Sequence, residues 1–448
     1  MKKLEKWSWG YAICKSYFYL FFRVLYRNYS VRGLENIPKN KPLIFASNHQ
    51  NALMDPLAIL FAMPGQPVFL ARADIFKNKF IASILYFYKL MPVFRIRDGK
   101  ESLANNQETF DESITVLTSN KKLCLFPEAA HNGMKSMLPH KKAIPRIAFM
   151  VGEKTNFEID LSVVPVGIYY SHYYNFRSDL VVQFGKPIAM KEYFDLYRTE
   201  GEIKATQALK DDLYDKISEI CVNVPDQNDY AIYEQGFEMY REKVCKKLNL
   251  PLKPVNIVKA EQAIVQKLKR YLDNHLPEKE ELLKSALRYK QLKTKLNLTE
   301  NSISKKEIKW ANIILSLLLF MILLPFSLFG GIIHGWLFYL SNIATRKMAK
   351  DPQFYSSLAV GFDIVTFTLW AIILLVLLAV TLKSWLLSLV LVVVSLPCGI
   401  IAWEMLQLIS RMFNRIKFAN LKKAGDKNLK QILETRNYLN EKFSEALN

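Results

Sequence analysis

Cysteine is scarce and scattered. Cys14, Cys124, Cys221, Cys245 and Cys398 form an odd set with no metal-ligand or redox spacing, which argues against a disulfide framework and for a reducing, cytoplasmic setting. The chain has no P-loop, no GxGxxG and no internal repeat, so neither a phosphate-cradling glycine loop nor a dinucleotide fingerprint nor a solenoid organises it. Acid is in short supply: 41 Asp and Glu stand against 61 Lys and Arg, a net charge of +20. No nucleic-acid motif accompanies that charge, and a nucleic-acid partner would leave the long apolar segments unexplained.

What is abundant is apolar residue, 51% of 448. The length allows two or three domains. An apolar yet basic chain fits a membrane protein with a basic cytoplasmic face, drawn to anionic lipid and to phosphate-bearing substrates. Residues 1–30 read as an interfacial membrane helix: Trp7 to Tyr26 is aromatic and apolar, but Lys15 and Arg23 interrupt it, and the uncharged run is shorter than the roughly 20 residues a span needs. Lys2, Lys3 and Lys6 precede it as in a signal sequence, with no small-residue cleavage site after it, and a signal anchor is the alternative.

Residues 31–200 alternate short strands and helices. The strand candidates are Leu43–Ala46, Val68–Ala71, Leu123–Phe126, Val163–Tyr169 and Leu180–Phe184, with helices such as Phe80–Tyr88 and Glu108–Thr118 between several of them. The expected fold is α/β, a mainly parallel sheet flanked by helices. Residues 201–309 read as a helical connector. Residues 310–410 form the transmembrane region. Within it Trp310–Ala344, broken by Pro325 and Gly330-Gly331, is either one long tilted helix or a hairpin. Leu358–Leu382 and Trp385–Leu406 are clearer spans. Basic residues flank the region at Lys305, Lys306 and Lys309, at Arg346, Lys347 and Lys350, and from Arg411 to Lys423, a bias that favours the hairpin and cytoplasmic ends. Residues 411–448 are expected as a cytoplasmic helical tail.

Within the α/β region, His49 and Asp55 follow a strand-sized apolar run, where a strand fixes catalytic groups and a loop exposes them. Six positions turn a helix by about 240°, so no straight helix brings the two together; the chain must turn between them. Asp55-Pro56 suggests an N-cap followed by a first helical residue. On the plainer reading Asp55 only caps that helix and His49 is a loop histidine. No third and fourth ligand appears at metal spacing.

Three clusters follow in order: Met91-Pro92-Val93-Phe94-Arg95-Ile96-Arg97, Leu125-Phe126-Pro127-Glu128-Ala129-Ala130-His131 and Val163-Val164-Pro165-Val166-Gly167. Together with His49 and Asp55 they resemble the four blocks of the glycerolipid acyltransferase family over about residues 30–200. The resemblance implies a membrane-bound enzyme moving a fatty acyl group from acyl-CoA or acyl carrier protein to the hydroxyl of glycerol 3-phosphate, with no other cofactor and the bilayer as partner. The other readings are a 1-acylglycerol-3-phosphate or other lysophospholipid acceptor, or a non-catalytic lipid-binding scaffold.

The resemblance also assigns roles. His49 would be the general base and Asp55 its orienting acid. Arg97 matches the arginine of the second block and would hold phosphate, with Arg95 on the same side of a strand as the alternative. Glu128 would bind the acceptor through hydroxyl groups. Lys141 and Arg146 fall where basic residues tend to follow the third block, and are otherwise helix-end surface charge. His131 is a second histidine near that site.

Two departures stand out. Five residues, not four, separate His49 from Asp55, as in the branch that accepts glycerol 3-phosphate or dihydroxyacetone phosphate. Ala129 and Ala130 stand where the family has glycine, which would allow backbone conformations that alanine resists.

Overall fold

The computed structural model describes residues 4–94, 106–304, 310–349 and 351–447. Two units separate: Met1–Pro225 with Pro251–Gln262, and Asp226–Leu250 with Ala263–Asn448.

The first unit is built on one sheet of eight strands. They are β1 (Tyr26–Arg32), β2 (Leu43–Ser47), β3 (Val68–Arg72), β4 (Leu90–Val93), β5 (Lys122–Leu125), β6 (Ser162–Tyr170), β7 (Ser178–Phe184) and the short β8 (Ile188–Ala189). The order is β1-β7-β6-β2-β5-β3-β4, with β8 beside β6. Only β6 with β7 and β6 with β8 pair antiparallel; every other pairing is parallel. The five strands read from sequence are all present. β1 has no signature in the sequence, since Tyr26-Arg27-Asn28-Tyr29-Ser30 carries no apolar run, and its pairing with β7 makes it a strand. The sheet thus extends to the N-terminal side of residue 31.

Helices cover the sheet. They are α1 (Trp9–Leu25), α2 (Met54–Ala62), α3 (Lys79–Phe87), α4 (Asn106–Thr118), α5 (Ala143–Lys154), α6 (Met190–Glu200) and α7 (Glu202–Ile220). Every residue of β2 and of β6 is buried. That is the pattern of parallel strands covered on both faces, which read as continuous apolar runs. Each of Leu43, Ile44 and Phe45, fully buried, contributes about 1.5–3 kcal/mol relative to exposure. None of the five cysteines is joined in a disulfide.

The second unit is helical: α8 (Tyr230–Lys247), α10 (Leu276–Lys295), α11 (Glu300–Ser304), α12 (Trp310–Met348), α13 (Tyr355–Leu382), α14 (Trp385–Lys423) and α15 (Lys427–Leu447). α9 (Pro254–Asn274) begins in the first unit. The expected tail helix is α15. It is tied to its unit through Asn440, which accepts from the Tyr240 hydroxyl, and through Arg436, which pairs with Glu300 at 2.8 Å.

Three helices, Leu317–Met348, Tyr355–Leu382 and Trp385–Lys423, are long and apolar enough to cross a bilayer. α12 stays helical through Pro325. Its neighbours show that it does not run straight. Leu317 and Phe320 share an apolar groove with Leu408 and Met412 of α14, and a Cβ on Gly330 would lie 2.1 Å from the Cys398 carbonyl carbon. Over that stretch the two helices are antiparallel. Eight residues on, a straight helix would have advanced about 12 Å toward the start of α14. Phe338 instead packs on Trp403, with ring centroids 6.1 Å apart. The helix therefore bends near Gly330-Gly331, where the missing side chains let the backbones approach.

Candidate active site

In a parallel sheet the carboxyl ends of the strands share one edge, and the loops leaving them converge. β2 delivers His49, β5 delivers Glu128 and β6 ends on Tyr170. β2 lies between β5 and β6, so residues distant in sequence meet at this edge.

Asp55 is fully buried and is the hub. Its Oδ2 accepts from the backbone N–H groups of Gln50 at 2.7 Å and Asn51 at 2.8 Å, and lies 2.7 Å from His49 Nδ1. Its Oδ1 accepts from the Tyr170 hydroxyl at 2.7 Å. The chain does turn between His49 and Asp55, as the spacing requires. The N-cap expectation is corrected: α2 begins at Met54, its N-cap Leu53 makes no side-chain cap, and Asp55 sits inside the first turn. The carboxylate caps the preceding loop instead, which folds back over it. Pro56 fits because a first-turn residue needs no N–H partner.

With Oδ2 acting as acceptor, Nδ1 carries the imidazole proton, and Nε2 is left with a lone pair. Nε2 has no hydrogen-bond partner among the described residues, and the side chain keeps 15% exposure. Phe126 stacks on the imidazole, centroids 4.2 Å apart, and His131 meets its edge at 5.1 Å. A histidine held in one tautomer with an open second nitrogen can take a proton from a bound hydroxyl.

Glu128 lies beneath this pair, 2% exposed. One carboxylate oxygen accepts from the His49 backbone N–H and the other from that of Leu138, each at 2.9 Å. It therefore fixes the loop carrying His49 to the loop after β5. Burial pushes its carboxyl up to about 8, against the pull of those two N–H groups and with the Asp55 charge adding to the rise.

Comparison with known proteins bears on this arrangement. The family model described as Acyltransferase matches residues 28–169. Glycerol-3-phosphate O-acyltransferase 2 of Saccharomyces cerevisiae is 24% identical over 257 residues, 55% of this chain and 33% of the yeast protein. Human 1-acyl-sn-glycerol-3-phosphate acyltransferase alpha is 28% identical over 118 residues, 26% of this chain and 40% of the human one. Residues 28–169 thus carry an acyltransferase domain, and these relatives are named for glycerolipid acceptors. The chain spans about a third of the yeast relative and two fifths of the human one. A solved structure, the 1-acyl-sn-glycerophosphate acyltransferase PlsC of Thermotoga maritima, shares 20% identity with a TM-score of 0.33, covering 46% of this chain and 78% of that one.

Within the acyltransferase domain, the remaining expected residues fall in different places. Arg97 and its alternative Arg95 lie outside the described residues. Lys141 is exposed, its backbone N–H donating to Pro127 at 2.7 Å. Arg146 is exposed near the start of α5, its guanidinium 4.5 Å from the centre of the Phe110 ring. Tyr170 carries no motif in the sequence, standing among other tyrosines, and only its place at the end of a buried strand singles it out. In the stretch expected as a helical connector, Glu261 on α9 is fully buried. It pairs with Lys135 at 2.5 Å and accepts from the Tyr169 hydroxyl at 3.0 Å, anchoring the segment that follows His131.

Ala129, where the family has glycine, adopts φ +56°, and its N–H closes a turn on the Phe126 carbonyl. Alanine thus occupies the left-handed conformation, at a cost of roughly 1–2 kcal/mol. Replacement by glycine gives up about 0.5–1 kcal/mol of chain entropy and recovers that strain. Ala129→Gly should therefore leave stability unchanged or raise it by up to about 1.5 kcal/mol; a loss of about 1 kcal/mol in thermal unfolding would contradict the strain.

Glu128 makes stability depend on pH in a set direction. Its folded pKa, about 8, lies above its ordinary value of 4.5, so the folded state holds the proton between them. That contribution is complete below about 4.5 and is lost as pH rises through about 8. Glu128→Gln does not titrate. The stability margin of the wild type over this variant should shrink between pH 5 and 9; a constant or widening margin would refute the assignment.

Proposed function

We propose that this chain is a membrane-bound glycerolipid O-acyltransferase that transfers a fatty acyl group from a thioester donor to the hydroxyl of glycerol 3-phosphate. The observation that carries the reading is His49, its Nδ1 locked 2.7 Å from buried Asp55 and its Nε2 open.

The chemistry follows from that geometry. Nε2 takes the proton of the acceptor hydroxyl as its oxygen attacks the thioester carbonyl. Asp55 keeps the proton on Nδ1 and stabilises the imidazolium that forms, the role of the acid in a serine triad, with the acceptor hydroxyl in place of serine. Collapse of the tetrahedral intermediate breaks the C–S bond, and the imidazolium returns its proton to the leaving thiolate. No acyl-enzyme is needed. Arg97 is proposed for the acceptor phosphate, joined by Lys141 and Arg146 beside the loop after β5. Glu128, expected to bind the acceptor, is proposed to act by keeping that loop in place, since backbone N–H groups hold both its oxygens. The relative from Saccharomyces cerevisiae, named for glycerol 3-phosphate, and the five-residue spacing support this acceptor over 1-acylglycerol 3-phosphate.

The apolar helices would hold the chain in the bilayer. Leu317 and Phe320 near the start of α12 lie level with Met412 and Ile416 near the end of α14, which supports entry and exit on one face. On this reading α12 dips in and returns, α13 and α14 cross, and the basic flanks stay in the cytoplasm with the acyltransferase domain.

Transfer of labelled acyl groups from coenzyme A and acyl carrier protein thioesters, with glycerol 3-phosphate, dihydroxyacetone phosphate and 1-acylglycerol 3-phosphate offered separately, tests the reaction. His49→Ala should lower turnover by about 10²–10⁴-fold. Asp55→Asn should approach the same loss by freeing the wrong tautomer. Full activity in His49→Ala would remove the mechanism, and a preference for 1-acylglycerol 3-phosphate would change the acceptor. The topology has its own check. Single cysteines at Asp351 and in the α15 segment should react with an impermeant thiol reagent from the same side of sealed vesicles, and one at Lys383 from the opposite side. Labelling of Asp351 with Lys383 would make α12 a full crossing.

A further inference from the structure

α3 is turned inside out. Its apolar residues Phe80, Ile84 and Phe87 recur at spacings of four and three, the stripe that faces the core in a water-soluble domain. Here no residue of the helix is buried, and Phe80 is 74% exposed. Asn78 caps the helix, its side chain accepting from the N–H groups of Phe80 and Ile81, so the element is well formed without a covered face. α1 shows the same inversion along Trp9, Ile13 and Leu20, with Trp9 76% exposed. The two stripes are continuous: a Cβ on Gly10 of α1 would lie 3.3 Å from the ring of Phe87.

Hydrogen bonds tie α1 to the loop after α2 and the end of α3 to the segment before α1. Lys15 of α1 donates to the carbonyls of Met63 and Gly65 at 2.9 Å, and Lys89 just after α3 reaches the Lys6 carbonyl at 2.5 Å. The patch is therefore a fixed surface of the domain rather than a loose arm. Exposed Lys77 and Lys79 stand at its edge, where their ammonium groups reach lipid phosphates while their stems lie on the apolar surface.

We propose that α3 and α1 together form a second bilayer contact that inserts into the headgroup and upper acyl region, separate from the apolar helices of the other unit. The occupant is a lipid surface. The same chain carries three apolar helices whose exposed faces require a bilayer, the patch offers tryptophan and phenylalanine rimmed by lysine, and the protein's charge of +20 favours anionic lipid. The consequence is that the domain would lie with α3 down on the membrane instead of hanging from its anchors.

The test uses the full chain in vesicles of phosphatidylcholine and phosphatidylglycerol. Cys14 is replaced by serine, and an environment-sensitive NBD label is attached to Phe80→Cys or, as a control, to Asp160→Cys, whose native side chain is 75% exposed. The label at position 80 should shift to the blue and be quenched several-fold more strongly by lipid carrying a shallow nitroxide than by soluble quencher; the label at 160 should do the reverse. Equal, water-like behaviour at both positions would overturn the proposal. So would a shielded label at 80 that membrane nitroxide does not quench, since protein would then cover the patch. These readouts do not involve catalysis, so they separate this inference from the reaction proposed above. In addition, Phe80→Asp with Ile84→Asp should reduce transfer from long-chain donors more than from short, water-soluble thioesters.

Discussion

The buried carboxylate of Asp55 is the constraint around which the first unit is arranged. A carboxylate removed from water costs several kcal/mol unless donors replace its hydration. Four do so here: two backbone N–H groups, one imidazole nitrogen and one phenol. Three of them come from the six residues before Asp55, and satisfying them forces the tight turn that the His49–Asp55 spacing demands. The fourth comes from β6, so the same requirement ties the loop to the sheet. Remove the carboxylate and the turn loses its centre, leaving two backbone donors and Tyr170 without their acceptor.

A second carboxylate shows how the same residue type serves differently. Asp55 presents one oxygen to a side chain that can do chemistry. Glu128 turns both oxygens to backbone N–H groups, which makes it a brace between the loops that follow β2 and β5. Its burial raises its proton affinity into the neutral range, so its charge is set by the loops it joins and by Asp55 nearby. The alanine that stands in place of glycine at position 129 belongs to the same brace. A positive φ one residue after Glu128 turns the chain away once the carboxylate has been delivered.

Much of this was legible in the sequence because strongly buried strands leave apolar runs. β2, β3, β5, β6 and β7 could be read that way, and the order of His49, Arg97, Glu128 and Val164-Pro165 on that pattern pointed to the family. What could not be read depends on contacts across the sheet. β1 has no apolar signature and exists through its pairing with β7. Tyr170 lies 115 positions from Asp55, and nothing local distinguishes its hydroxyl from those of its neighbours. The donors that fold the 49–55 loop are backbone groups, which a sequence does not display. The buried Glu261 sits in a stretch otherwise rich in solvated charge, and only its meeting with Lys135 and Tyr169 sets it apart.

On the proposed reaction, the membrane-facing features would serve chemistry between unlike partners. A glycerol phosphate is water-soluble and charged, whereas a fatty acyl chain and the acylated product partition into lipid. An enzyme joining them needs its proton-transfer centre in a polar, sheet-built cleft and its exit beside a bilayer. Anchoring helices alone give proximity without orientation, because a domain tethered through a connector can turn. A rigid apolar patch on the domain removes that freedom, since rotating it away would return Trp9 and Phe80 to water. At about 25 cal/mol per Å², even a few hundred Å² of such surface outweighs thermal rotation several-fold. The inverted stripes of α1 and α3 are therefore more economically explained by a lipid surface that fixes the tilt of the site than by the anchor alone.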